Sequence, residues 1–130
     1  MRAWLFCRVA NGWDADANDY LAMQKTELER FCKEHDLSVA GTTMVTGNGR
    51  DELEKLVDTG IERDSYDVLA AVSASRFCRD ILGLLQIGEM LTQHGKGLCL
   101  VKDGLSTHPS LILESTAEPE DYPGMGGQSL

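Results

Sequence analysis

Apolar positions along the chain switch between two periods, one that suits strands and one that suits helices. Ala3 to Ala10 (AWLFCRVA) is a short apolar run, and the Asp/Asn-rich stretch Asn11 to Asp19 after it reads as a loop carrying a helix N-cap. Leu21, Gln24, Leu28 and Phe31 then recur every three or four residues. That spacing predicts a helix over about Asn18 to His35, with one stripe on the core and Lys25, Glu27, Arg30 and Glu34 in water. Ser38 to Thr46 (SVAGTTMVT) is a weaker strand, and the turn Gly47-Asn48-Gly49 leads into a second helix over about Asp51 to Arg63. Asp64-Ser65 breaks that pattern. Tyr66 to Ser73 (YDVLAAVS) is nearly all apolar, as the buried centre of a parallel sheet requires, and Ile81, Leu84, Leu85, Gly88 and Leu91 mark a third helix closed by His94 to Gly97. Gly97 to Val101 (GLCLV) is a fourth strand, and Ser110 to Glu114 (SLILE) a short edge strand.

Strands alternating with helices, joined by right-handed crossovers, give a three-layer α/β/α fold around a mostly parallel sheet of four to five strands. Residues 1–106 form that domain, and residues 107–130 are the edge segment followed by a Pro/Gly-containing acidic tail. The 130 residues suit one core rather than two.

Charge changes the picture. Twelve Lys and Arg against 21 Asp and Glu leave a formal charge of -9, the wrong sign for a generic nucleic-acid binder, so contact with DNA must rest on a local cationic site. No apolar run approaches the roughly 20 residues of a membrane span, and the expected location is the cytoplasm. Cys7, Cys32, Cys78 and Cys99 are widely spaced, which signals neither a zinc site nor a disulfide framework but reduced, mostly buried thiols. No cofactor is expected.

Open α/β sheets bind ligands at the carboxyl ends of their strands. Four arginines fall there: Arg8 near the end of the first strand, Arg50 after the Gly-Asn-Gly turn, and Arg76 and Arg79 after the third strand. Guanidinium groups stay charged and grip phosphate oxygens in pairs, which makes this edge a candidate phosphate or phosphodiester site. The competing reading is ordinary surface pairing, of Arg8 with Asp14 or Asp16 and of Arg79 with Asp80 or Glu89. No phosphate-binding P-loop occurs, and no acidic pocket of the receiver type ends the strands. His35, His94 and His108 sit at helix ends or in the tail, as capping or solvated side chains.

Phe6-Cys7-Arg8-Val9, Leu21-x-x-Gln24-x-x-x-Leu28, Tyr66-Asp67-Val68-Leu69 and Ser75-Arg76-Phe77-Cys78-Arg79-Asp80 together resemble the catalytic domain of the serine recombinases, the resolvase/invertase family. The resemblance covers roughly Ala3 to Ser106, and Asp103-Gly104-Leu105-Ser106 matches that family's end of strand four. It implies a flavodoxin-like strand order and DNA recombination chemistry. In that family a serine two residues after the first-strand arginine attacks the DNA backbone while arginines stabilise the transition state.

The resemblance places Arg8, Arg76 and Arg79 among the catalytic arginines and makes Arg50 and Gln24 candidate phosphate or DNA contacts. At the nucleophile's position stands Ala10, which has no hydroxyl. Ser75 also replaces an expected aspartate, and Val45-Thr46 ends the second strand without another. Cys7 points to the sheet face opposite Arg8, and Ser73 and Ser75 have no recognisable base, so none of them replaces the serine. A chain ending at Leu130 would also lack the family's long dimer-interface helix.

The expected function is therefore a non-cleaving, DNA- or recombinase-associated module of a mobile element, forming a homodimer and partnering DNA or a full-length recombinase. Two alternatives stand beside it: an active recombinase domain in which Ala10 is an engineered replacement for serine, and a small-anion-binding or dimerisation module unrelated to DNA.

Overall fold

Nine short elements follow one another in the computed structural model, which describes residues 1–77 and 80–113. They are β1 (Arg2–Val9), α1 (Ala17–Glu34), β2 (Ser38–Thr46), α2 (Arg50–Arg63), β3 (Val68–Ala71), a 3-10 turn (Ala74–Phe77), α3 (Ile81–Gln93), β4 (Gly97–Leu100) and β5 (Leu105–Ser106). The sheet runs β2-β1-β3-β4-β5, parallel except for β5. No described helix is long and apolar enough to cross a membrane.

Side-chain alternation along β1 divides the core. Ala3, Leu5, Cys7 and Val9 pack beneath α1 with Leu28, Phe31 and Cys32, while Phe6 faces α2 and α3 among Leu53, Val57, Leu69 and Leu98. All four residues of β3 and of β4 are buried, as expected for strands covered on both faces. The edge strand β2 is the opposite, with only Val45 of its nine residues buried.

Two expectations are corrected. The third strand is only Val68–Ala71, because Tyr66 does not extend the ladder: its ring lies against Gly60 of α2, where an added Cβ would come within 2.3 Å, and its hydroxyl donates to the Leu56 carbonyl at 2.9 Å. The antiparallel edge strand is Leu105–Ser106, paired with Leu100 and Cys99, and Ser110–Leu113 forms no strand. There Leu111 is buried in the α1-side core with Leu113 against it, while Ile112 stands exposed. Glu114, the tail and residues Cys78 and Arg79 lie outside the described residues.

At the amino ends of the strands a charged knot holds three segments. Asp67 takes the Arg2 backbone N–H at 2.7 Å and its guanidinium at 3.2 and 3.3 Å. Lys96, buried between α3 and β4, donates to the Tyr66 carbonyl and to Asp64, which Arg2 also reaches. The Arg2 hydrogen bonds pull the Asp67 carboxyl down from 3.8 to about 2.

A carboxylate depressed in the folded state stabilises the fold fully above its unfolded value and loses that contribution as pH falls toward the folded one. Acid titration followed by circular dichroism is therefore expected to show weakening between about pH 4 and pH 2. Asp67→Asn should start less stable at neutral pH and lose less over that window, and an unchanged acid limb in the variant would remove Asp67 from the account.

Candidate anion-binding edge

The sheet order reverses direction between β1 and β3, and the carboxyl ends of these two strands frame the site. Arg8 lies one residue before the end of β1. Its Nε donates to the Arg76 carbonyl at 3.1 Å, one Nη to the Gly47 carbonyl at 2.7 Å and the other to the Ser75 carbonyl at 2.8 Å. One guanidinium thus ties the β2–α2 turn to the segment after β3. The turn comes close because Gly49 has φ 69° and no side chain, so that an added Cβ would sit 3.3 Å from Arg8 Cδ.

The Arg8 backbone is held as firmly as its side chain. Gln24, buried on α1, accepts from the Arg8 N–H at 3.0 Å and donates to the Arg8 carbonyl at 2.9 Å. Arg76 donates to the same carbonyl from the other side at 3.2 Å. Both lone pairs of that oxygen are therefore engaged. The Nε of Arg76 is buried without a hydrogen-bond partner.

Of the residues singled out from sequence, the structure brings Arg8, Arg76, Ala10 and Gln24 together. Ala10 and Arg76 line one cavity of about 340 Å³ with Asn11, Asp14 and Tyr20, and Ala10 also borders a second, of about 450 Å³, with Trp13 and Thr46. Arg50 opens α2 on the same edge and is exposed, and its backbone N–H bonds the Asn48 side chain at 2.8 Å. Arg79 lies outside the described residues. The pairing of Arg8 with Asp14 or Asp16 does not form, since Arg8 turns to carbonyls instead.

Other groups fall where their chemistry keeps them silent. Cys7 is buried beneath α1, opposite Arg8, and burial pushes its thiol up to about 11. Ser73 and Ser75 share a hydrogen bond at 2.9 Å between their hydroxyls. Neither caps α3, whose cap is Asp80, accepting from Gly83 at 2.7 Å. Asp16 precedes α1 without a side-chain cap hydrogen bond, and its backbone N–H donates to the Asp14 carboxylate at 2.9 Å, which turns the loop. That loop carries Asp14 and a Trp13 that is 95% exposed at the cavity rim, and Tyr20 follows in the first turn of α1. Read from sequence as capping material, the loop offered no periodicity by which Asp14 and Trp13 could be found.

A family model described as "Resolvase, N terminal domain" matches residues 4–117. No curated protein matches. Among solved structures, the N-terminal catalytic domain of TP901-1 integrase is 16% identical, covers 82% of each chain and has a TM-score of 0.71. A resolvase family site-specific recombinase from Streptococcus pneumoniae is 20% identical over 82% of this chain and 75% of its own, with a TM-score of 0.71. The C-terminal catalytic domain of ISC1926 TnpA, an IS607-like serine recombinase, is 23% identical over 78% and 70%, with a TM-score of 0.66. At these identities the likeness is one of fold.

Because Gln24 satisfies the Arg8 N–H and shares its carbonyl, Gln24→Leu, which keeps bulk and removes both partners, should cost about 1 to 3 kcal/mol. Urea unfolding is expected to show a lower midpoint at unchanged slope. A midpoint equal to wild type would mean that water replaces the amide.

Proposed function

The chain belongs to the resolvase N-terminal domain family, and on that premise we propose that it is a non-cleaving member, which holds a DNA phosphodiester on its arginine edge without attacking it. One observation carries the reading: Ala10, two residues beyond Arg8, borders the same cavity as Arg76. A methyl group stands at the position from which a serine oxygen would attack phosphorus in the recombinases that the sequence resembles. Transesterification needs that oxygen to form the new P–O bond as the old one breaks, and alanine supplies none. The electrostatic half of such a site survives its loss, because guanidinium groups bind a phosphodiester whether or not it reacts.

Charge segregation supports a local contact despite the net charge of -9. Arg2 and Lys96 are paired with Asp64 and Asp67 at the far end of the strands, whereas Arg8, Arg50 and Arg76 sit at the carboxyl ends. Asp14 in the cavity wall limits the site to few phosphates. A full-length recombinase of a mobile element is the protein partner this reading favours, which sets the work in the cytoplasm with DNA. Leu111 of the apolar run Leu111-Ile112-Leu113 packs into its own domain, a contact that needs no second copy.

Fluorescence anisotropy with a labelled DNA duplex tests the proposal. Binding is expected to weaken linearly in log salt, with a slope of roughly -2 for two or three phosphates, and Arg76→Ala should flatten it by about one. On supercoiled plasmid no covalent protein–DNA adduct should form. Absence of any salt-dependent binding, or a trapped phosphoserine, overturns it.

A further inference from the structure

The two cavities at the carboxyl ends of the strands share Ala10 and Asn11 as a common wall, yet they differ in chemistry. The one of about 340 Å³ carries charge, with Arg76 and Asp14 beside Tyr20. The other, of about 450 Å³, adds Gly12, Trp13, Thr46 and Gly47 to the shared pair, and none of the described residues lining it is ionisable. A phosphate suits the first, where a guanidinium lines the wall. The second offers an indole, an amide and a hydroxyl, which suit a neutral planar ring with polar edges.

Trp13 is the anomaly. A large aromatic side chain ordinarily finds cover, whereas this one is 95% exposed. Its backbone is nonetheless tied down. The Asn11 side chain accepts the Trp13 backbone N–H at 2.9 Å, the Asn11 carbonyl accepts from Asp14 at 3.3 Å, and the Asp14 carbonyl accepts from Ala17 at 3.0 Å. At Gly12 the loop lies so close to the end of β2 that an added Cβ would stand 3.0 Å from Thr46. The chain has one other tryptophan, and it shows the contrast: Trp4 is half-buried, its Nε1 donates to Thr43 at 2.9 Å and its ring lies 6.2 Å from that of Tyr66.

An indole held in water on a fixed loop, one cavity away from an arginine whose Nε is buried and unbonded, combines the two elements that grip an unpaired nucleotide. Every base has a π face on which an aromatic ring stacks, and the adjoining phosphate meets the cation. Resting on the phosphodiester reading of the arginine edge, we propose that Trp13 is a stacking platform for an unpaired nucleobase whose neighbouring phosphate lies on Arg76. The preferred ligand of this edge is then a DNA strand with an unpaired base. A closed duplex keeps its base faces covered by their neighbours and offers the edge its phosphates alone. Asp14, Asp16 and Asp19, in the loop and the first turn of α1, repel a long run of phosphates and confine the contact to a nucleotide or two.

Tryptophan fluorescence of the full chain tests it, with Trp13→Phe reporting Trp4 alone. An oligothymidylate of about twenty nucleotides is expected to quench Trp13, and to bind about tenfold more tightly than the same strand annealed to oligoadenylate. Trp13→Ala should weaken strand binding about tenfold and leave duplex binding unchanged, whereas Trp13→Phe, which keeps an aromatic face, should retain most of it. An exposed side chain makes few contacts with the fold, and circular dichroism establishes that both variants keep it. Strand binding that Arg76→Ala weakens but Trp13→Ala does not, or a bound strand that leaves Trp13 emission unchanged, overturns the platform while the phosphodiester reading stands. Binding of neither strand nor duplex removes both. Thymidine monophosphate that binds as tightly as the strand would make a free nucleotide the ligand and overturn the choice of DNA.

Discussion

The carbonyl oxygen of Arg8 is the point on which the arginine edge depends. It accepts from Gln24 in the layer above the sheet and from Arg76 in the layer below, so one backbone atom couples α1, β1 and the segment after β3. The Arg8 guanidinium then draws the Gly47 turn and the Ser75–Arg76 backbone onto the same residue. The β2–α2 turn and the segment after β3 are set relative to β1 by a single side chain. Arg8 is an architectural residue, whose guanidinium reaches three backbone carbonyls. Arg76 differs: its Nε is buried and unbonded, which leaves more of its hydrogen-bonding capacity uncommitted.

The two ends of the sheet solve opposite electrostatic problems. At the amino end, Arg2 and Lys96 are matched by Asp64 and Asp67, and the knot is nearly neutral. At the carboxyl end Arg8 and Arg76 donate to backbone carbonyls, which supply hydrogen bonds without cancelling the charge. Positive charge thus persists on one edge of a strongly acidic chain, and it persists because dipoles rather than carboxylates hold it.

Much of this was legible from sequence where a period or a strand end carried the signal. Leu21, Gln24, Leu28 and Phe31 announced the buried face of α1, and the uninterrupted apolar runs gave β3 and β4. The meeting of Arg8 with Arg76 followed from placing both at the carboxyl ends of strands. What was missed has no period. Leu105–Ser106 is a two-residue pairing chosen by how the turn at Val101–Gly104 returns to β4, and Leu111-Ile112-Leu113 imitates a strand although only Leu111 is buried there. Gln24 shows the limit most clearly: its place in the helical stripe was evident, but its grip on both polar atoms of the Arg8 backbone exists only in three dimensions.

The β2 edge has a consequence for the behaviour of the molecule in bulk. Its nine residues run along one side of the sheet with a single neighbour, and Val39 and Met44 are exposed upon it. The other border closes with a strand of two residues, too short to template another chain. Strand β2 contains neither proline nor any charged residue, the usual guards against edge-to-edge growth. The guard here is global: at neutral pH the surplus of carboxylates keeps copies apart. Colloidal stability therefore belongs to the whole surface rather than to the strand it protects, and acidification or concentrated salt would weaken the protection of β2 while leaving the strand itself intact.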